Sequence, residues 1–514
     1  VTRESESLKE ATLTGVRWVT LAKIASETFA FVAAVALARL ISPSEFGRAA
    51  VALVFIPLAV ILTFEGFASA LVQRPSFDEE HRRAAVFMGL VGGVALSAIT
   101  LLLVGPVWSP LFGAETGHLM AIIAPVFLIA AVGSVPRATL WRALDFRVLG
   151  LCDLSGLLMG NVVAVALAVA GLGAKAIVIG ALAQVTTQSV LLFACAPSPA
   201  PRWHPRAQRE IGAFGLPAAL AGLVGVLFRN IGYVILAARL SPAQTGIFWR
   251  SFNLGVVYQD KISGIMLQLS FPVYSRTESR EQLRHLHERA ARVHAAIIFP
   301  LLATLVVLAP VLIPFVFGPA WEPSVVPAQI LALVGMIAAV LTGYPQVMLA
   351  VGQPKALLRF NIVIVLVFGA AVAVTAAHGL IAVSIAVLVV HIGILLGVYR
   401  FLLQPHIGLS MRGLVSELGP AVVGCLGLAA VGFPLRVLLQ SVSAGAFVTI
   451  VVAGAAGFVV YAAVVQKLFP AAWSDLRMLA ERVLPPLARL GRRGGRPAPP
   501  APVPAAAPSQ GAAS

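Results

Sequence analysis

The chain has 514 residues, of which 59% are hydrophobic and 11% charged, and its mean hydropathy is +0.94. A soluble protein carries about a quarter charged residues, so a globular soluble enzyme is excluded and an integral membrane protein is expected. The net charge of +16 does not imply a nucleic-acid partner, because Arg and Lys sit in short connections between apolar runs, the pattern that sets membrane topology.

A spanning helix needs roughly 20 mostly apolar residues, and fourteen such helices are predicted. Residues 1–13 are polar and carry both signs of charge, so no cleavable signal peptide is expected and helix 1 (14–40) is the retained insertion signal. Helix 1 holds Arg17, Lys23 and Glu27. Lys23 and Glu27 are one turn apart and can pair, whereas Arg17 lies about 120° round. Helix 2 (48–72) starts at Arg48 and contains Glu65, and helices 3 (83–107) and 4 (117–136) follow. The connection after helix 4 offers Arg137, Trp141, Arg142, Phe146 and Arg147. These suit a short interfacial helix touching lipid headgroups, and a topology signal would explain the arginines equally well.

Helices 5 (149–171) and 6 (174–195) are separated only by Gly171-Leu172-Gly173, and helix 7 (211–240) carries Arg229, Asn230 and Tyr233. Helix 8 (244–270) is the most informative. At about 100° per residue, Arg250, Asn253, Asp260, Lys261 and Gln268 share one arc of roughly 100°, with Gln259 opposite. Intramembrane charges cost at least a few kcal/mol, so this stripe reads as the wall of a hydrated lumen. The alternative is hydrogen-bonding glue between helices, which usually employs Ser, Thr and Asn. Helices 9 to 14 are expected at 288–318, 323–351, 357–378, 380–402, 412–433 and 442–466, with Arg436 in the connection before helix 14. His294, His378 and His391 stand near helix ends or alone and read as structural. Cys152, Cys195 and Cys425 are too dispersed for a metal or disulfide framework. Pro470–Arg496 can form a short basic helix on the membrane, and Pro497–Ser514 is Pro/Ala-rich and expected to be disordered.

Charge tests this reading. The N-terminus, every second connection and the C-terminal tail hold 27 of the 37 Lys and Arg, whereas the alternate connections hold 6. That asymmetry places both termini in the cytoplasm. Leu37-to-Gly47 reads L-A-R-L-I-S-P-S-E-F-G and Leu236-to-Gly246 reads L-A-A-R-L-S-P-A-Q-T-G, with the Ser-Pro pairs 199 residues and six helices apart. An even number of helices makes such repeats parallel. The expected organisation is an N-lobe at 1–208 (helices 1–6) and a C-lobe at 209–405 (helices 7–12). A further pair of helices lies at 406–468 and a cytoplasmic tail at 469–514.

The motifs L-A-R-L-I-S-P-S-E-F-G, F-E-G-F-A-S-A-L-V-Q-R, S-V-P-R-A…F-R, F-G-L-P and V-G-Q-P, spread over residues 8–405, resemble those of Wzx-type polysaccharide flippases. These belong to the multidrug/oligosaccharidyl-lipid/polysaccharide exporter superfamily. The resemblance implies two parallel six-helix lobes around a cationic central cavity, working by alternating access. Its cargo would be an undecaprenyl-diphosphate-linked oligosaccharide, moved from the cytoplasmic to the periplasmic leaflet of a bacterial inner membrane for O-antigen, capsule or exopolysaccharide synthesis. Lipid II flippases of that superfamily bind diphosphate through cations in helices 1, 2 and 8, which here hold Arg17 and Lys23, Arg48, and Arg250. With Arg229, Asn253 and Lys261 they form the expected substrate site, although Lys23 lacks the bidentate fork of arginine. Glu27, Glu65 and Asp260 would balance charge or bind a coupling ion. No cofactor is expected beyond a proton or sodium gradient or the membrane potential. A polysaccharide polymerase and glycosyltransferases are the expected protein partners. A lipid II flippase and a multidrug or cation antiporter of the same superfamily are the alternatives. Six basic residues against three acids disfavour a cavity for cationic drugs, and the short outward connections disfavour an enzyme.

Overall fold

The computed structural model describes residues 26–68, 71–72, 78–260, 263 and 279–483, without the side chains of 65–66, 221 and 479–483. Among them every regular element is helical and none is a strand. Among the described residues twelve helices are long and apolar enough to cross a membrane, and they coincide with twelve of the predicted spans. The other two, helices 1 and 8, are helical over residues 26–40 and 242–260, and the remainder of each lies outside the described residues. The chain is an all-α, multi-pass membrane protein.

The closest predicted splits are real turns. Gly171 and Gly173 (φ +81° and +54°) separate helix 5, Phe146–Val169, from helix 6, Ala174–Cys195. Gly379 (φ +88°) separates helix 11 from helix 12. These backbone conformations carry little steric cost only without a Cβ. Other helices run longer than apolarity suggests. Helix 9 spans Arg280–Phe317, where Ser279 accepts a hydrogen bond from the Gln282 N–H and starts the helix in a charged stretch that hydropathy does not register. Helix 13 spans Met411–Ser441, so Arg436 lies inside it rather than in a connection.

Packing follows small residues, as expected where lipid removes the hydrophobic drive for helices to associate. A Cβ on Gly160 of helix 5 would lie 2.8 Å from the Gly180 carbonyl of helix 6, and one on Gly180 would lie 2.7 Å from the Gly160 carbonyl. The largest apolar core joins both sequence halves, with Leu37, Phe46 and Ile123 in one cluster with Ile298, Ile313 and Trp321.

Helices 13 and 14 dock on helix 9. The Tyr461 hydroxyl donates to the Ala296 carbonyl (2.9 Å), and Arg436 Nη1 donates to the Val307 carbonyl (2.8 Å). A C-terminal helix, Pro470–Val483, completes this face. Asp475 accepts from Arg289 (2.8 Å) and Arg292 (3.4 Å), and Arg292 also pairs with Glu417 of helix 13. These carboxylates are mostly shielded from solvent, so the network stabilises more than an exposed pair does. Asp475→Ala is expected to cost about 1–3 kcal/mol, seen as a lower unfolding temperature in detergent. Unchanged melting would mean that the C-terminal helix is not anchored through Asp475.

Candidate functional site at the two Ser-Pro turns

The two halves of the sequence echo meet in space. Ser42 and Ser241 each adopt an extended backbone, with ψ of 156° and 154°, and each caps a helix that begins with proline. Ser42 Oγ accepts from the Glu45 N–H while Glu45 accepts from the Ser42 N–H (3.1 Å). Ser241 and Gln244 repeat the arrangement. These are capping boxes, and they start helices 2 and 8 at Pro43 and Pro242, ahead of the apolar runs that mark both spans. Each initial α-segment is 11 residues long, Pro43–Leu53 and Pro242–Phe252.

The two helix starts touch through backbone. A Cβ on Gly47 would fall 1.8 Å from the Pro242 carbonyl oxygen, and a Cβ on Gly246 would fall 1.9 Å from the Pro43 carbonyl oxygen. Neither site tolerates a side chain without displacement of the partner's main chain. The contact is reciprocal, as an internal twofold relation requires.

One turn inside this crossing lies Arg250, 1% exposed. Its guanidinium carbon sits 4.6 Å from the ring centre of Phe317, 4.7 Å from Trp321, 4.9 Å from Phe46 and 5.5 Å from Trp249. Its Nε and Nη2 meet no hydrogen-bond acceptor among the described residues. A desolvated cation–π contact is worth about 2 kcal/mol, so the rings together match the several kcal/mol that burial of an ion costs. Trp321, itself fully buried, donates from Nε1 to the Ala38 carbonyl (2.8 Å), and Arg39 donates to the Val316 (3.0 Å) and Phe315 (2.5 Å) carbonyls. Helices 1 and 2 are thus fastened to helix 8 and to the junction of helices 9 and 10.

The other predicted site residues are dispersed. Arg48 pairs with Glu115 (2.7 Å) at the rim, both partly exposed, and does not share the Arg250 box. Arg229 is exposed and Asp260 half-buried. The Asn253 side chain donates to its own helix, to the Trp249 carbonyl (2.7 Å). Glu27 is half-buried. Arg17, Lys23, Lys261, Gln268 and the Glu65 side chain lie outside the described residues. Gln259 is buried and donates to Ser263 Oγ (2.7 Å), which lies 2.7 Å from His294 Nε2. On the opposite side of the molecule Arg137 pairs with Asp153, which also accepts from Gln188, and Arg142 donates to the Leu71 carbonyl (3.0 Å). Those two arginines join helices together, while Arg147 is exposed.

The single arc expected on helix 8 assumes uniform α-geometry, and the helix departs from it. Residues Asn253–Val257 form a wide π-turn. One extra residue in a turn shifts everything beyond it by about 100°. Arg250 faces the aromatic box, and Asp260, beyond the π-turn, no longer keeps the angle to it that uniform α-geometry gives. Sequence reading did not find Phe46, Phe317, Trp321 or the two glycines. The signal was present in the shared spacing from Ser-Pro to Gly in the two echoes.

The model of the family described as "Polysaccharide biosynthesis protein" matches residues 36–326. A Klebsiella pneumoniae protein described as an uncharacterized membrane protein in the cps region is 26% identical, over 78% of this chain and 84% of its own length. The lipopolysaccharide biosynthesis protein WzxC of Escherichia coli (strain K12) is 24% identical, over 84% of this chain and 89% of its own length. Among solved structures, the lipid II flippase MurJ in an inward closed conformation superposes with a TM-score of 0.69 at 12% identity, covering 88% of this chain and 98% of that one. A match over more than half of the chain, carrying both Ser-Pro turns, together with a shared fold, makes this protein a member of the polysaccharide biosynthesis protein family.

Proposed function

We propose that the protein is a flippase that moves an undecaprenyl-diphosphate-linked oligosaccharide from the cytoplasmic to the periplasmic leaflet of a bacterial inner membrane by alternating access. The observation that carries this reading is Arg250, a dry guanidinium with unused donors at a seam between the two sequence halves. Arginine stays charged throughout and presents a planar fork that fits phosphate oxygens two at a time. A diphosphate cannot cross hydrocarbon unshielded, so its carrier needs a cation that the lipid route can reach. The names of the relatives, one in lipopolysaccharide biosynthesis and one in a cps region, fit a lipid-linked glycan as the cargo.

The charge alternation supports an orientation with both termini in the cytoplasm and the Ser-Pro turns at the periplasmic face. Reporters fused after Arg206 and Arg284 are then expected to read cytoplasm, and one inserted near Ala114 periplasm. The first two reading periplasm would mean that the helix count is wrong. Function is tested in proteoliposomes with a labelled undecaprenyl-diphosphate oligosaccharide. The lipid is expected to reach the far leaflet only with the protein present, and equal leakage into protein-free vesicles would refute the proposal. Movement of a cationic dye instead would favour the antiporter.

A further inference from the structure

We propose that the paired Ser-Pro turns form the outer gate of this transporter, and that the aromatic box around Arg250 is the latch that holds it shut. The inference rests on the transport reading above only in that a seam between halves must open and close. Three features of the seam support it.

The first is the symmetry of the contact. Gly47 and Gly246 lie against the opposing carbonyls of Pro242 and Pro43 with no side chain between them. Two smooth backbones can part without rotamers having to unlock, unlike interdigitated cores. The capping boxes keep each helix start intact when they part, because Ser42 with Glu45 and Ser241 with Gln244 satisfy the terminal N–H groups locally.

The second is the chemistry of the fastenings. Trp321 to Ala38 and Arg39 to Val316 and Phe315 are side-chain donors on main-chain carbonyls across the seam. Single hydrogen bonds of this kind are individually weak and reversible.

The third is the Arg250 box. Its rings come from helix 2 (Phe46), helix 8 (Trp249), the end of helix 9 (Phe317) and the start of helix 10 (Trp321). The guanidinium therefore binds parts that separate if the seam opens. The box leaves Nε and Nη2 without an acceptor, and a phosphate that bonds them in the parted seam stabilises the open gate. A ligand shifts such an equilibrium only through unequal affinity for the two states. Here the inequality arises because the closed box buries Nε and Nη2 of Arg250, so phosphate oxygens reach those donors only when the seam parts. Recognition and gate opening then share one side chain.

The test uses full-length protein in lipid nanodiscs with Cys152, Cys195 and Cys425 replaced by serine. Spin labels are placed at the exposed residues His118 and Ala377, one in each sequence half, and distances are read by pulsed electron–electron resonance. Phe317→Leu and Trp321→Phe each remove or shrink a ring face. They are expected to raise the long-distance population roughly three- to thirtyfold without ligand. Gly246→Val is expected to hold the gate open outright. Where that variant fails to fold, the two ring variants still decide. Undecaprenyl diphosphate is expected to shift the unsubstituted protein toward the long distance but not an Arg250→Gln variant. A distribution like that of the unsubstituted protein in both ring variants, with normal melting, overturns the latch. A shift in the ring variants with no response to undecaprenyl diphosphate leaves the gate standing and counts against the flippase reading.

Discussion

Arg250→Ala is expected to slow transbilayer movement of the lipid-linked oligosaccharide ten- to hundredfold while leaving the protein folded. A charge-assisted contact to phosphate is worth about 1.5–3 kcal/mol, which sets that range. The order of variants is as informative as the size. Arg250→Lys keeps the charge but loses the fork and should fall between wild type and alanine, whereas Arg250→Glu should be slowest because it repels the diphosphate. Replacing a buried, acceptor-poor cation often leaves stability unchanged or raises it, so melting should not fall in step with transport. Lys355→Ala, at an exposed site, supplies the control. Transport by Arg250→Glu at the wild-type rate would remove Arg250 from the site.

Trp321→Ala should have the largest effect on stability. Trp321 is fully buried, meets Phe46 edge-on at 5.2 Å and donates to the Ala38 carbonyl. Truncating a buried aromatic to alanine costs about 3–5 kcal/mol, and here a main-chain acceptor is stranded as well. The unfolding temperature in detergent is expected to fall steeply. Trp321→Phe should recover most of the loss, because it restores packing but not the hydrogen bond. An alanine variant that melts with the wild type would show that the seam is held elsewhere.

Much of the architecture was legible in the chain because a membrane imposes coarse rules. Runs of apolar residues and the alternation of Arg and Lys needed no knowledge of packing. Even the short turn at Gly171-Leu172-Gly173 was readable from composition. Helix ends were less legible. The charged beginning of helix 9 and the location of Arg436 depend on capping and on a carbonyl of a neighbouring helix, which hydropathy does not weigh. The site was half legible. Arg250 stood out as an intramembrane charge, but its neighbours come from helices separated by up to 275 residues, a relation no local period encodes. A period of 3.6 residues holds only while every turn is an α-turn, and helix 8 departs from it at Asn253–Val257. Arg137 and Arg142 were expected at the lipid surface because arginines near a helix end suit headgroups. The structure uses both to bind Asp153 and the Leu71 carbonyl.

The docking of the C-terminal helix onto helix 9 determines where the chain can be trimmed for purification or crystallisation. Cutting after residue 483 discards only sequence outside the described residues, whereas cutting before Pro470 removes Asp475. The cut end would not bear the damage. It would fall at the start of helix 9, where Arg289 would lose its carboxylate and Arg292 would keep only Glu417. A shortened protein that expresses poorly would then report a fault about 180 residues upstream of its missing tail.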